Sequence, residues 1–525
     1  MGSSFELHVN AEIGTPQDGP LIGFLEKGNA FVYHRAMASP ELPKDLNGTN
    51  AYLVGIKGTG MCALAELLSK EGVRISGSDV SDEFYTDRIL KELGIPYVET
   101  FASANIPENT DFVIHSAAYS SDSNPELVEA ERKKVPILKY TQALGSYSGR
   151  FDSSAIAGVH GKTTTTALAG TLARAVGLPA RILAGSAVGD FGGRSTLSLG
   201  NRFFIAETCE YRKHFLSFQP RRIVLTSVES DHQDFFPTYE SIRDAFVEFI
   251  LLLPVGGELI YCADDPGAAE TVSLAMEKRP DLKLVPYGKY AGGPYRIESL
   301  EVTQERTVMK LAGFPEEFRL RVPGRHTALD AAAALALVST LLRIESGPAG
   351  MNDGKLEAVR LALENFRGSR RRSEIVGEAG GILVMDDYGH HPTAIRTTLE
   401  GLKAFYPSRR LVVSFMSHTY TRTAALLDEF ASSFTSADEV ILHKIYASAR
   451  EKYSGGVDGR TLFERCSAQH PRVRYFEELM DATDILLDEL KSGDLFLTMG
   501  AGDNWRLGRA VLEALEKKYS PGEVS

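Results

Sequence analysis

Ala157-Gly158-Val159-His160-Gly161-Lys162-Thr163-Thr164-Thr165-Thr166 is the stretch on which the fold turns. An apolar run, Ser154-Ala155-Ile156-Ala157, leads into it as a strand, and a helically spaced segment from Thr163 to Ala175 leads out. A helix starting there offers unpaired N–H groups and partial positive charge to an anion. Gly158 and Gly161 let the backbone approach a phosphate, Lys162 reaches β- and γ-phosphates, and the Thr163 hydroxyl suits Mg²⁺. Ile156 stands where the full P-loop pattern has its first glycine. The competing interpretation is a plain glycine turn capped by threonines. Gly-Lys-Thr between a strand and a helix predicts nucleoside triphosphate binding instead.

The same strand-then-helix grammar extends in both directions. Strand-like runs at 203–206 and 222–225 and an Ala/Leu-rich helix over 328–342 complete a middle domain, 148–366. Upstream, Ala51-Tyr52-Leu53-Val54 meets the turn Gly55-Ile56-Lys57-Gly58-Thr59-Gly60, a helix over 61–71 and a strand over 73–76. That βαβ unit opens a first domain, 49–147, continued by a strand at 112–114 and a helix at 125–134. Downstream, strands at 382–385, 411–414, 439–442 and 494–497 build a third domain, 367–525. Three such alternations predict an α/β fold with mostly parallel sheets, whose ligands sit beyond the strands' carboxyl ends. Residues 1–48 read as an extension of unknown role, partly disordered.

The 525 residues exceed what one core accommodates. Hydrophobic residues at 43% and charged residues at 24% exclude wholesale disorder. A net charge of −12 argues against nucleic acid as a partner. Four cysteines without a C-x-x-C pair argue against a disulfide framework or thiolate zinc site. No apolar run is long enough to predict membrane insertion, and the start lacks a secretory pattern. A cytoplasmic monomer or homodimer is expected.

Other strand ends carry further candidates. Glu207 closes Phe-Phe-Ile-Ala-Glu and His232 closes Ser-Val-Glu-Ser-Asp-His, both on the rim where a Mg²⁺–ATP complex would lie. The first-domain turn reads G-x-x-G-x-G, with Ser78 and Asp79 about twenty residues on. It suits a pyrophosphate, either of NAD or of a UDP-sugar. Asp386-Asp387-Tyr388-Gly389-His390-His391-Pro392 gathers acids and imidazoles in one loop, read as polar substrate contacts rather than a zinc site. His418-Thr419-Tyr420-Thr421-Arg422-Thr423 offers a guanidinium for a carboxylate, and Arg370-Arg371-Arg372 is a solvated face or an interdomain phosphate clamp.

In order, these segments resemble the Mur ligases, ATP-dependent amide-forming enzymes of peptidoglycan synthesis, and most nearly their alanine-adding branch. Nine pieces carry the resemblance: 55–61, 77–79, 157–166, 206–207, 231–232, Pro-Gly-Arg-His at 323–326, 386–392, 420–423 and Met-Gly-Ala-Gly at 499–502. It implies a Rossmann-like UDP-binding first domain, a P-loop middle domain and a Rossmann-like third domain that closes over them. The implied reaction joins L-alanine to UDP-N-acetylmuramate through an acyl phosphate, with ATP as substrate and Mg²⁺ as its metal. Gly58, Gly60, Met61, Ser78, Asp79 and Ser116 would hold the UDP part, and Tyr388 the muramate end. Gly158, Val159, His160, Gly161, Lys162, Thr163, Thr164, His326, Arg372 and Asp387 would hold ATP. Thr163, Glu207 and His232 would face the metal, Arg422 and His418 the alanine, and His390 is the candidate base.

The chain also departs from the family's pattern. Thr327 and Asp330 stand for two asparagines, Ser227 for an asparagine and Thr419 for an arginine. Thr-Cys-Glu-Tyr-Arg follows Glu207 where many members have Ala-Asp-Glu-Ser-Asp. The rival interpretations are a recycling ligase that attaches a ready-made tripeptide, a nicotinamide dehydrogenase, and a nucleotide-binding regulator without catalysis.

Overall fold

The structure, a computed structural model, describes residues 21–26, 30–35, 40–348, 350–447, 451, 453 and 455–519. Three separate parallel sheets carry the expected alternation. The first runs Tyr97–Val98, Arg74–Ser78, Asn50–Val54, Phe112–His115, Ile137–Lys139, every pair parallel. The run Ala51–Val54 is central and buried on both faces, which is why it reads as continuously apolar rather than alternating.

The middle sheet has seven strands, with Asp152–Ala157 between Phe203–Glu207 and Arg222–Leu225. Only its edge strand, Arg194–Ser198, is antiparallel. The helix Lys162–Ala175 leaves the central strand through Gly161, whose φ of 80° is one that glycine adopts without steric cost. Against it packs the long helix Arg325–Ser346. Among the described residues this is the one helix long and apolar enough to cross a membrane, and 78% of its apolar window is buried inside the protein. Its alanine-rich stretch, Ala331–Ala334, lies at the bottom of the core, where small side chains let the two helices approach.

The third sheet runs Glu374–Ala379, Ile382–Asp387, Asp494–Met499, Arg410–Phe415, Glu439–His443, Val473–Phe476, antiparallel only at its first edge. A small antiparallel sheet, Ile297–Thr303, Arg306–Leu311 and Glu317–Leu320, was not foreseen in the sequence. Its strands bury only alternate residues, a weaker signal than the apolar runs of the parallel sheets.

The segment taken as an extension is not all separate. Leu21–Glu26 and Ala30–Arg35 form a hairpin. Leu42 and Leu46 are buried in the core of the first sheet, and Leu42 N–H donates to Ser146 Oγ at 3.0 Å. The disorder expected within 1–48 concerns residues outside those described.

Candidate functional site

The carboxyl ends of the middle and third sheets face a common cavity of about 1030 Å³, to which the first unit contributes Ala118. The turn after Asp152–Ala157 forms its floor. Gly158, at φ 138°, passes so close to the next strand's end that a Cβ would meet Thr226 Oγ1 at 2.1 Å. Lys162 Nζ donates to Glu210 Oε2 at 2.9 Å and to the carbonyl of Gly158. Burial alone would push the Lys162 ammonium down, but the carboxylates of Glu210 and Glu207 outweigh it and hold the pKa above its ordinary value. Burial likewise acts to raise Glu210, and Lys162 and His232 reverse that. A charged lysine therefore waits at the mouth of the turn.

Beside it, Thr163 Oγ1 donates to Glu207 Oε1 at 3.0 Å, while Glu207 Oε2 accepts from Gly185 N–H at 2.7 Å. These are hard oxygen donors on the lip of the phosphate turn, a set that suits Mg²⁺. His232, at φ 55°, turns its Nε2 toward Glu210 Oε1 at 3.5 Å rather than toward Glu207.

The third sheet supplies the opposite wall. Asp387 anchors its own loop, accepting from Gly389 N–H at 2.6 Å and from Ser373 N–H at 2.7 Å. Tyr388 lies under the guanidinium groups of Arg371 and Arg372, 5.0 and 5.1 Å from its ring centre. His390 donates from Nδ1 to the Tyr388 carbonyl at 2.9 Å, because a carbonyl only accepts. Its Nε2 therefore carries the lone pair. Burial, aided by Arg422, holds the ring well below its usual pKa, so it is neutral. His418, in the next loop, is pushed down to about 4 by burial and Arg422.

Arg422 is itself buried. It donates from Nε and Nη2 to Asp231 Oδ1 at 2.9 and 2.8 Å, and from Nη1 to the His418 carbonyl at 2.7 Å. Burial acts to raise Asp231, but Arg422 overrides it and holds the carboxyl far below its ordinary value. Nη1 also lies 3.4 Å from His418 Nδ1, so one of the five guanidinium donors stays uncommitted, and Arg422 lines the cavity.

His326 and Asp330 line the cavity from the N-terminal end of the long helix. Thr165 Oγ1 donates to Asp330 Oδ1 at 3.1 Å, while the buried Asp330 Oδ2 and His326 Nδ1 have no partner. Burial pushes the Asp330 carboxyl up to about 7. A protonated Asp330 presents an O–H donor, as the amide of an asparagine presents N–H.

Three family models match the chain in sequence order. They are "Mur ligase family, catalytic domain" over 50–152, "Mur ligase middle domain" over 156–338 and "Mur ligase, glutamate ligase domain" over 371–502. The chain belongs to the Mur ligase family. Among relatives of this Mur ligase, a UDP-N-acetylmuramate–L-alanine ligase of Treponema pallidum (strain Nichols) is 53% identical over 477 residues, covering 91% of the chain and 99% of the relative. One of Borreliella burgdorferi is 38% identical, covering 88% and 98%. The crystal structure of the UDP-N-acetylmuramate–alanine ligase MurC from Thermotoga maritima superposes with a TM-score of 0.72 at 25% identity, covering 89% of the chain and 99% of that structure. A murein peptide ligase from Psychrobacter arcticus shares the fold at a TM-score of 0.63 and 21% identity, with 89% and 99% covered.

Within this Mur ligase the cavity brings together Val159, His160, Gly161, Lys162, Thr163, Thr164, Glu207, His232, His326, Arg372, Asp387, Tyr388, His390, His418 and Arg422. It does not include the residues expected to hold UDP. Met61 is packed in the core of the first sheet, and the buried Ser78 hydroxyl donates to Glu126 Oε2. Asp79 accepts from Lys57 N–H at 2.7 Å and from the Tyr119 hydroxyl at 3.2 Å, so it braces the glycine turn. Ser116 continues the strand pairing, its N–H donating to Val54 O at 3.0 Å. Gly58 and Gly60 remain at the start of the helix Thr59–Lys70.

Sequence reasoning passed over Glu210 and Glu229, quoted Asp231 only as part of a motif, and read His391 only as one of the polar contacts of its loop. Glu210 stands three residues beyond Glu207 on the same rim, a signal present in the sequence. The pairing of Asp231 with Arg422, 191 positions apart, had none.

The arginine run divides: Arg372 lines the cavity, Arg371 donates to Asp386, and Arg370 lies between the units. Its guanidinium lies 4.6 Å over Tyr85 of the first unit and 5.6 Å over Trp505 of the third, and its N–H donates to Ala187 O of the middle unit at 2.7 Å. It is a half-buried interdomain contact outside the cavity.

Proposed function

We propose that this Mur ligase joins L-alanine to the carboxylate of UDP-N-acetylmuramate, with cleavage of ATP to ADP and phosphate, as a cytoplasmic step of peptidoglycan precursor synthesis. The observation that carries the chemistry is the one cavity holding a charged Lys162, the Thr163–Glu207 oxygen pair, a neutral His390 and Arg422. The 53% identity to the Treponema relative supports alanine as the added amino acid.

A carboxylate is a poor acyl donor because oxide is a poor leaving group. Attack of the muramate carboxylate oxygen on the γ-phosphorus breaks the bond to ADP and leaves an acyl phosphate. That attack brings two anions together, and at ~4 Å a unit pair repels by about 4 kcal/mol at an effective dielectric of 20. Lys162 and the N-terminus of the helix Lys162–Ala175 supply opposing charge where negative charge accumulates. Thr163 and Glu207, with His232, would hold Mg²⁺, which when bound neutralises phosphate oxygens.

In the second step the alanine amine attacks the acyl carbonyl and phosphate leaves. Arg422 is the cation that would hold the alanine carboxylate. The amine must first lose a proton, and the lone pair on His390 Nε2 is an acceptor for it. The walls contributed by the third sheet exclude water, which would otherwise hydrolyse the acyl phosphate.

ADP release measured with ATP, Mg²⁺ and UDP-N-acetylmuramate tests this directly. L-alanine should be required, and the product's mass should equal that of the two substrates joined less one water. Turnover with a murein tripeptide and none with L-alanine would overturn the assignment.

A further inference from the structure

A second cluster of metal-ligating side chains lies at the seam between the middle and third units, apart from the Thr163–Glu207 pair. His160 comes from the phosphate turn, Glu229 from the loop after Arg222–Leu225, and His391 from the N-cap of the helix Pro392–Phe405. One ligand atom from each lies within 4.8 Å of the other two. His160 Nε2 meets Glu229 Oε1, and His391 Nδ1 lies 3.4 Å from that same oxygen.

The hydrogen bonds fix which His391 nitrogen carries the proton. Nε2 faces the carbonyl of Ser230 at 3.2 Å, and a carbonyl only accepts, so Nε2 carries the proton. Nδ1 accepts from Thr393 N–H at 3.4 Å, so it holds a lone pair. His391 Nδ1 and Glu229 Oε1 therefore converge on one small space, the nitrogen held only by the long contact to Thr393 N–H and the oxygen by His160.

The surroundings are those a bound metal requires. His391 donates its other ring N–H to a backbone carbonyl, and Glu229 Oε2 accepts from the Thr393 hydroxyl at 3.0 Å, so both would-be ligands are held in orientation. Two nitrogens and one oxygen suit zinc, with a fourth position left open, whereas Mg²⁺ prefers oxygen. Zinc–ligand bonds of ~2.0–2.1 Å in a tetrahedron place neighbouring ligand atoms about 3.4 Å apart. His391 Nδ1 and Glu229 Oε1 already have that spacing, whereas His160 Nε2 touches Glu229 Oε1 directly and its ring must withdraw to admit an ion. We infer that His160, Glu229 and His391 form a binding site for a zinc-class divalent cation that ties the phosphate turn to the third unit, distinct from the proposed Mg²⁺ site.

Titration of the purified chain with zinc, with Mg²⁺ in millimolar excess and no nucleotide present, tests this without reference to ligase activity. Wild type should bind one equivalent. Glu229→Gln and His391→Ala should each weaken it more than about tenfold, and Glu207→Gln should leave it unchanged. Because a variant can fail to fold, anomalous scattering at the zinc edge from wild-type crystals gives a second readout, with a peak expected among the three side chains. No stoichiometric binding, a peak elsewhere, or binding lost in Glu207→Gln and kept in His391→Ala would overturn the inference.

Discussion

Two glycine turns of this chain follow the same grammar and end in different states. At 158–163 the backbone is forced: Gly158 and Gly161 have φ of 138° and 80°, and a Cβ on either would run into Thr226 or Asp330. The turn's polar side chains point into the large cavity. At 55–60 Gly55 is forced too, at φ 85° with Tyr119 2.7 Å from a Cβ, but the acid of the turn is spent on bracing, since Asp79 holds Lys57 N–H, and Gly58 has an ordinary φ of −56° with only Gly55 O near, at 3.5 Å from a Cβ. A strand–glycine–helix pattern thus says that a loop can cradle an anion. Whether its charged groups are free to act on the anion is decided by burial and by contacts remote in sequence.

The contrast can be broken by removing the charge. Lys162→Ala should lower alanine-dependent ADP release by at least about 10²–10³-fold, while UDP-N-acetylmuramate binding measured calorimetrically stays near wild type. Loss of both together would mean that the two turns do not divide the labour.

Glycine replacement sharpens it. Gly158→Ala should destabilise the fold by about 1–3 kcal/mol and abolish nucleotide binding, because that φ and the Thr226 contact both oppose a methyl. Gly58→Ala should leave the unfolding midpoint unchanged, so any loss of UDP-N-acetylmuramate binding there would report direct approach of ligand to the backbone.

Arg422→Lys keeps a cation beside Asp231 but loses the planar fork. The KM for L-alanine should rise about tenfold with little change in the KM for ATP. Arg422→Ala is less informative, since it strands a buried carboxylate at a cost of about 3–5 kcal/mol.

The smallest effect concerns Asp330. Its carboxyl is raised to about 7 in the folded chain from 3.8, so the native state holds the proton more tightly than the unfolded chain does. The associated stability is fully present below 3.8 and is lost as pH rises through 7. Between about pH 5 and about pH 8 the unfolding midpoint of the wild type should fall more than that of Asp330→Asn. At about 2–4 °C per kcal/mol, the difference is within reach of calorimetry.

Much of this was legible in the chain itself. Strands such as Ile382–Asp387 and Asp494–Met499 are buried on both faces, so sequence continuity alone reveals them. Lys162, Thr163 and Glu207 stand at the ends of such strands and could be placed by local pattern. The small sheet at 297–320 and the first-unit pair Ser78–Glu126 depend on which face tertiary packing covers, which no local window records. Asp231 with Arg422, and Glu229 with His391, come from separate sheets and meet only after the third sheet docks.

Arg370 touches each of the three units, with one ring below its guanidinium, another beside it, and its own N–H bonded to the third partner. Swinging the last unit outward must unstack an aromatic contact and strain a main-chain bond within the span of a single residue. One side chain and one amide thereby tie the position of the last unit to both of the others.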